Sequence, residues 1–145
     1  MTPGVTLADY WMGRDREYSL ALDTQTRKNA AITVELANKL IGSAALHGVV
    51  MSQAHPVTGT LVSSGWRPPA VNAATPRAAT NSKHMTGRAI DLYDPDGDLD
   101  EWLMTAYGRA ALESIGLWLE HPASTKGWCH VQTVPPGSGN RVFYP

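Results

Sequence analysis

The sequence predicts an α+β fold, a small antiparallel sheet with helices packed on one side, and three observations carry that expectation. Residues 26–46 spread Ile32, Val34, Leu36, Leu40 and Ile41 among polar neighbours, as a helix burying one face does. Residues 98–116 repeat the pattern with Leu99, Trp102, Leu103 and Ala106. Four short β-prone runs, at 60–67, 89–93, 117–120 and 128–132, lie between turn and loop residues. Helices grouped beside short antiparallel strands make an α+β domain.

Each element has its local signal. Gly48 follows the first helix closely enough to stop it. The run at 60–67 is ended by Pro68-Pro69, and an Ala-, Thr-, Asn- and Pro-rich loop is expected from there to about Ser82. Ala89-Ile90-Asp91-Leu92-Tyr93 is a strand, and Pro95-Asp96-Gly97 turns the chain into the second helix. Asp98 and Glu101 have the form of a capping box, a break is possible at Gly108, and the helical region stops around Gly116. The last two runs form a hairpin around the loop 121–127, and the tail, with Pro135-Pro136-Gly137, is loop. Asp94, Asp96, Asp98 and Asp100 alternate as in a calcium loop, but the glycine falls too early in the run, so they are read as turn and cap.

A chain of 145 residues fits one domain, residues 1–145, that buries its core without disulfides. A net charge of -1 lacks the cationic surplus that phosphate neutralisation requires, which disfavours nucleic acid as a partner. The single cysteine, Cys129, excludes an internal disulfide and a thiolate cluster, so any metal must be held by histidine and carboxylate. The first residues lack the basic start and apolar run of a signal peptide, and no stretch reaches the ~20 apolar residues of a membrane span. The expectation is a chain made in the cytoplasm, monomeric and without stable membrane association.

The chemistry concentrates in residues 82–91 and 128–132. Asp91 sits on a strand between Ile90 and Leu92, and alternation turns it away from both. A carboxylate in such surroundings needs a cation or several donors. By the same alternation Trp128, His130 and Gln132 share one face, while Cys129 and Val131 take the other. Catalytic zinc takes three protein ligands and keeps one position open, and His84, Asp91 and His130 supply that number. Spacing alone leaves the metal open.

Three ordered motifs, Ser82-x-His84-x-x-Gly87-x-Ala89-x-Asp91, Ser64-Gly65-Trp66-Arg67 and Trp128-x-His130-x-Gln132, resemble those of the M15 peptidases. Tyr10-Trp11-Met12-Gly13-Arg14 looks like the opening of the phage-type members, so the resemblance runs from about Leu7 to the end. It implies a hedgehog/DD-peptidase-like fold, one Zn2+ on His84, Asp91 and His130, and Arg67 as the substrate-binding arginine. The implied activity is hydrolysis of the peptidoglycan stem peptide by a phage-type endolysin, an L-alanyl-D-glutamate endopeptidase, reaching the wall after holin-assisted release. The alternatives are a D-alanyl-D-alanine carboxypeptidase and a non-catalytic wall-binding or virion module that keeps the zinc fold.

One position departs from the family pattern. Many members carry the catalytic glutamate three residues before the last histidine, where this chain has Gly127. Glu120 is read as the base instead, because it closes the strand that pairs with 128–132. Ser82, Trp128 and Gln132 are expected beside Arg67 on the substrate side, with Ser82 or a backbone carbonyl orienting a zinc-bound imidazole. His47, His55 and His121 are read as ordinary surface or core residues and Cys129 as a buried hydrophobe; Arg77, Lys83, Arg88 and Lys126 are read as solvated charges ahead of the alternative that they attract the anionic wall peptide.

Overall fold

Two short helices that leave no periodic signal open the computed structural model, which describes residues 4–145. α1 (Leu7–Trp11) starts at Thr6, whose hydroxyl accepts from Asp9 N while the Asp9 carboxylate accepts from Thr6 N. α2 (Arg14–Glu17) follows at once. The long helix α3 (Thr24–Leu46) begins slightly earlier than expected because Asp23 caps it, accepting from Thr26 N. Its buried face is centred on Ala30, Val34, Ala37, Leu40, Ile41 and Ala44. Ile32, counted in the expected stripe, is 50% exposed: small alanines, not the largest apolar residues, mark the packed side.

The expected strand at 60–67 is only β1 (Val62–Ser64), and the expected loop after it contains α4 (Pro69–Ala74). Pro69 presets a helical φ in the first turn, where no amide is missed. β2 (Ala89–Asp94) leads to α5 (Asp98–Leu103) and α6 (Ala106–Ile115). The capping box expected from Asp98 and Glu101 does not form. Gly97 holds the N-cap position, and the Asp94 carboxylate accepts from Leu99 N and Asp100 N. The helical region breaks at Met104 and Thr105 instead of at Gly108, because the Thr105 hydroxyl caps α6 by accepting from Gly108 N. Gly108 stands inside α6 because any Cβ there would collide with the Trp102 carbonyl.

β3 (Trp118–Glu120) and β4 (Gly127–Gln132) form the expected hairpin, and the tail adds a strand, β5 (Val142–Phe143), where loop was expected. The five strands run in the order β1-β2-β4-β3-β5. The β3–β5 pair is parallel, so the sheet is mixed and not wholly antiparallel. A two-residue strand is too short to show alternation; Leu119 N to Arg141 O and His121 N to Phe143 O hold it in place.

One face of the sheet presents Ile90, Leu92, Leu119, Cys129 and Val131, all fully buried, to a core shared with α3, Leu99, Leu103 and Leu112. The opposite face carries the polar residues. There the register aligns Ser64 with Asp91, Asp91 with His130, and Glu120 with Phe143. Pairing of Leu119 with Val131, continued by one residue, sets Glu120 opposite His130. A single row thus crosses all five strands, Ser64, Asp91, His130, Glu120, Phe143, and paired residues share a face.

Candidate metal centre

Asp91 and His130 are neighbours because their strands pair, and His84 joins them from a 3-10 turn, Lys83–Thr86, just before β2. Ser82 starts that turn by accepting from His84 N, and Gly87 ends it at φ 76°. Gly87 is fixed twice over. Its φ suits glycine, and a Cβ would lie 2.7 Å from Thr26 O of α3, which also receives the turn through Thr33 Oγ1 donating to Gly87 O at 2.6 Å. The glycine of the motif therefore lets the turn dock on the core helix.

Each of His84, Asp91 and His130 offers a ligand atom, and these atoms lie within 4.8 Å of one another. Asp91 Oδ1 is 3.2 Å from His84 Nε2 and 2.8 Å from His130 Nδ1. Ligand atoms ~2.0–2.2 Å from a tetrahedral ion stand roughly 3.3 Å apart, so the spacing suits such an ion.

The outer partners decide which nitrogens face inward as lone pairs. His84 Nδ1 is 2.8 Å from Gly65 O, a carbonyl that can only accept, so Nδ1 carries the hydrogen and Nε2 does not. That Nε2 is buried without a hydrogen-bond partner. Gln132 donates through Nε2 to Val134 O at 2.9 Å, which turns its Oε1 toward His130 Nε2 at 3.1 Å. His130 Nε2 is then the donor, and Nδ1 points its lone pair at Asp91. Two imidazole lone pairs and a carboxylate oxygen converge in a buried space, an arrangement that a cation among them relieves, as does a proton on His130 Nδ1.

The electrostatics follow the same geometry. Burial pushes the His84 imidazole below its ordinary value, only partly offset by Asp91. Burial alone would raise Asp91, but positive charge on the two imidazoles at its side outweighs burial and holds the carboxyl well below the usual range. For His130 burial opposes charge, yet the hydrogen bond and charge of Asp91 prevail and raise its pKa.

His84, Asp91 and His130 open onto a cleft of about 480 Å³, which Arg67, Ser82, Glu120, Trp128, Gln132 and Phe143 also line. All the residues expected from the sequence therefore come together. Glu120 is half-buried, and desolvation raises its pKa, as suits a proton acceptor. Arg67 donates through Nη2 to Ser82 Oγ at 3.0 Å, while its Nε is buried with no partner. Among the described residues it forms no ion pair. Ser82 and Gln132 face the cleft, but their polar atoms are engaged in holding Arg67, His84 and His130. Cys129 lies on the core side, its thiol pushed up by burial.

Residue types alone miss three contributions. The Gly65 carbonyl that orients His84 is backbone and leaves no sequence signature. Phe143 arrives on the unforeseen β5. The third is a bracket made by residues 10–14 of the opening segment. Tyr10 O accepts from Trp66 N at 3.0 Å, its hydroxyl donates to Ala89 O at 2.8 Å, Met12 Sδ accepts from Gly65 N at 3.2 Å, and Arg14 Nη1 donates to Trp66 O at 2.9 Å. A Cβ at Gly65 would collide with the Tyr10 carbonyl, so only glycine admits the approach.

Compared with family models, with curated proteins and with solved structures, the chain matches none. The geometry defines a buried His-Asp-His group that could hold a metal ion, at the floor of an open cleft with a carboxylate and a guanidinium on its walls.

Proposed function

We propose that the chain is an M15-type zinc peptidase with a hedgehog/DD-peptidase-like fold, hydrolysing peptide bonds of the peptidoglycan stem peptide as a phage-type L-alanyl-D-glutamate endopeptidase. The observation that carries the reading is the convergence of His84 Nε2, buried with no hydrogen-bond partner, with Asp91 Oδ1 and His130 Nδ1, which lie 2.8 Å apart. That donor set fits zinc, which favours tetrahedral nitrogen and oxygen ligands. Zinc held there supplies Lewis acidity toward a carbonyl and acidifies water to a pKa near ~7.

The chain's own residues divide the remaining work. Glu120, across β4 from His130, takes a proton from water and returns it to the leaving amine. Arg67 grips a substrate carboxylate through its free guanidinium edge, where two parallel hydrogen bonds fix the peptide's orientation. Trp128 and Phe143 form apolar flanks of the cleft. Gly65 and Gln132 hold the two imidazoles in one tautomer each.

Digestion of purified peptidoglycan by the zinc-loaded protein, with mass spectrometry of the fragments, tests the reading. New amino termini at D-glutamate support the endopeptidase, and released D-alanine would move the activity to a carboxypeptidase. Gly127 at the family's glutamate position favours a second reading, a non-catalytic wall-binding or virion module. Intact peptidoglycan together with stoichiometric zinc would establish that one.

A further inference from the structure

Resting on the peptidase reading, we infer that Arg77 is a specificity-determining residue that binds a second carboxylate of an acidic peptide whose first is held by Arg67. Arg77 adopts φ 63°, a left-handed conformation that an arginine side chain does nothing to favour. The loop around it imposes this shape. Ala78 N bonds to Thr75 O, and Ser82 N to Ala79 O. Asn72, buried on α4, donates through Nδ2 to that same Ala79 carbonyl at 2.9 Å. Pro76 stiffens the approach. The loop is thus tied down on both sides of Arg77, whose own side chain is left at the rim of the cleft that His84, Asp91 and His130 floor.

A solvated surface charge needs none of this, because glycine or asparagine would take the left-handed position more cheaply. Among the described residues Arg77 forms no ion pair. The cleft lining sets Arg67, Arg77 and Lys83 against the carboxylates of Glu120 and Asp91, and Asp91 is committed to the two histidines. With a divalent cation in place the walls hold more positive charge than one substrate carboxylate can answer. A peptide with two free carboxylates fits. Amidating one of them removes the charge and turns an N–H toward a guanidinium that can only donate.

The test uses two synthetic stem peptides, L-Ala-γ-D-Glu-L-Lys-D-Ala-D-Ala with the glutamyl α-carboxyl free, and the same peptide with that carboxyl amidated. Calorimetric titration of the zinc-loaded Glu120→Gln protein should show the free acid binding at least ~10-fold more tightly, the scale of one charge-assisted pair. In the same background Arg77→Ala should bring the ratio to within about 2-fold by weakening the acid alone, and Arg77→Lys should restore part of it. A ratio unchanged by Arg77→Ala, an equal loss for both peptides, or no binding of either overturns the inference. Hydrolysis by the parent protein is followed in parallel. Arg77-dependent binding without cleavage refutes the peptidase reading and leaves the inference standing, whereas cleavage of both peptides at one rate does the reverse.

Discussion

Replacing Gln132 by leucine removes the hydrogen bond that fixes the inner nitrogen of His130 as a lone pair, and its cost in metal affinity follows from the contacts. The bond from His130 Nε2 to Gln132 Oε1 spans 3.1 Å, and the amide is locked by Val134 O at 2.9 Å. A hydrogen bond to a group that gains charge on metal binding contributes about 1.5–3 kcal/mol. Loss of an outer partner of a ligating histidine lowers affinity by roughly 10–100-fold, about 1.4–2.7 kcal/mol, so the two ranges agree. Leucine fills nearly the same space at a position 4% exposed, which limits repacking. It does orphan the Val134 carbonyl, so apo stability is measured separately by denaturant. Competition against a chromophoric zinc chelator at neutral pH gives the affinity. Gln132→Glu is the partner variant. It keeps an acceptor for His130 while, like leucine, giving Val134 O no donor, so it should share the loss of apo stability yet bind zinc at least as tightly as the parent. Affinity of the leucine variant within about 2-fold of the parent, or equal weakness in both variants, would refute the assignment of tautomer and ligand atom.

Four further outcomes are expected. Glu120→Gln should keep its zinc and its melting temperature while kcat/KM on peptidoglycan fragments falls by roughly 100-fold or more, the usual scale for a lost general base; turnover at the parent rate would place the base elsewhere. Arg67→Lys keeps the charge but not the fork, so kcat/KM should fall at least ~10-fold with zinc content and thermal stability nearly unchanged; a large stability loss with normal turnover would make Arg67 structural. Gly87→Ala meets both a φ of 76° and the Thr26 carbonyl, so urea unfolding should show a loss of about 2–4 kcal/mol. Asp100 is buried on α5, and desolvation pushes its carboxyl up to about 7. A raised carboxyl contributes stability below its unfolded pKa and loses it as pH rises through the folded value, so Asp100→Asn should gain roughly 1–2 kcal/mol over the parent at pH ~8 and little at pH ~4; a gain independent of pH would remove the charge from the explanation.

The motif residues were legible because their chemistry repeats at fixed steps along the chain. Alternation alone put Asp91 opposite Ile90 and Leu92, and His130 with Trp128 and Gln132, and the sheet keeps both arrangements. Glu120 was legible through pairing, since a hairpin aligns residues by register whatever the loop between them measures. The mixed sheet was not legible, because β5 has two residues and is selected by the edge of β3. α1, α2 and α4 are too short for a periodic stripe, and the break after Leu103 depends on a threonine hydroxyl. The Asp94 cap was hidden for a related reason. Its carboxylate serves a helix whose start lies several residues farther on, beyond the usual capping distance.

The bracket formed by residues 10–14 bears on how the molecule can be cut or joined. Tyr10, Met12 and Arg14 hold the segment whose Gly65 carbonyl steers His84 and whose next residues carry Arg67. A protease nick or an engineered truncation inside that opening stretch would remove no ligand and no wall of the cleft, yet it would loosen a ligand and the guanidinium together. Tyr10 and Trp11 are also buried in the core, so such a cut would cost packing as well as alignment, and an insertion immediately before Tyr10 would split α1 between its Thr6–Asp9 cap and the residues of the bracket.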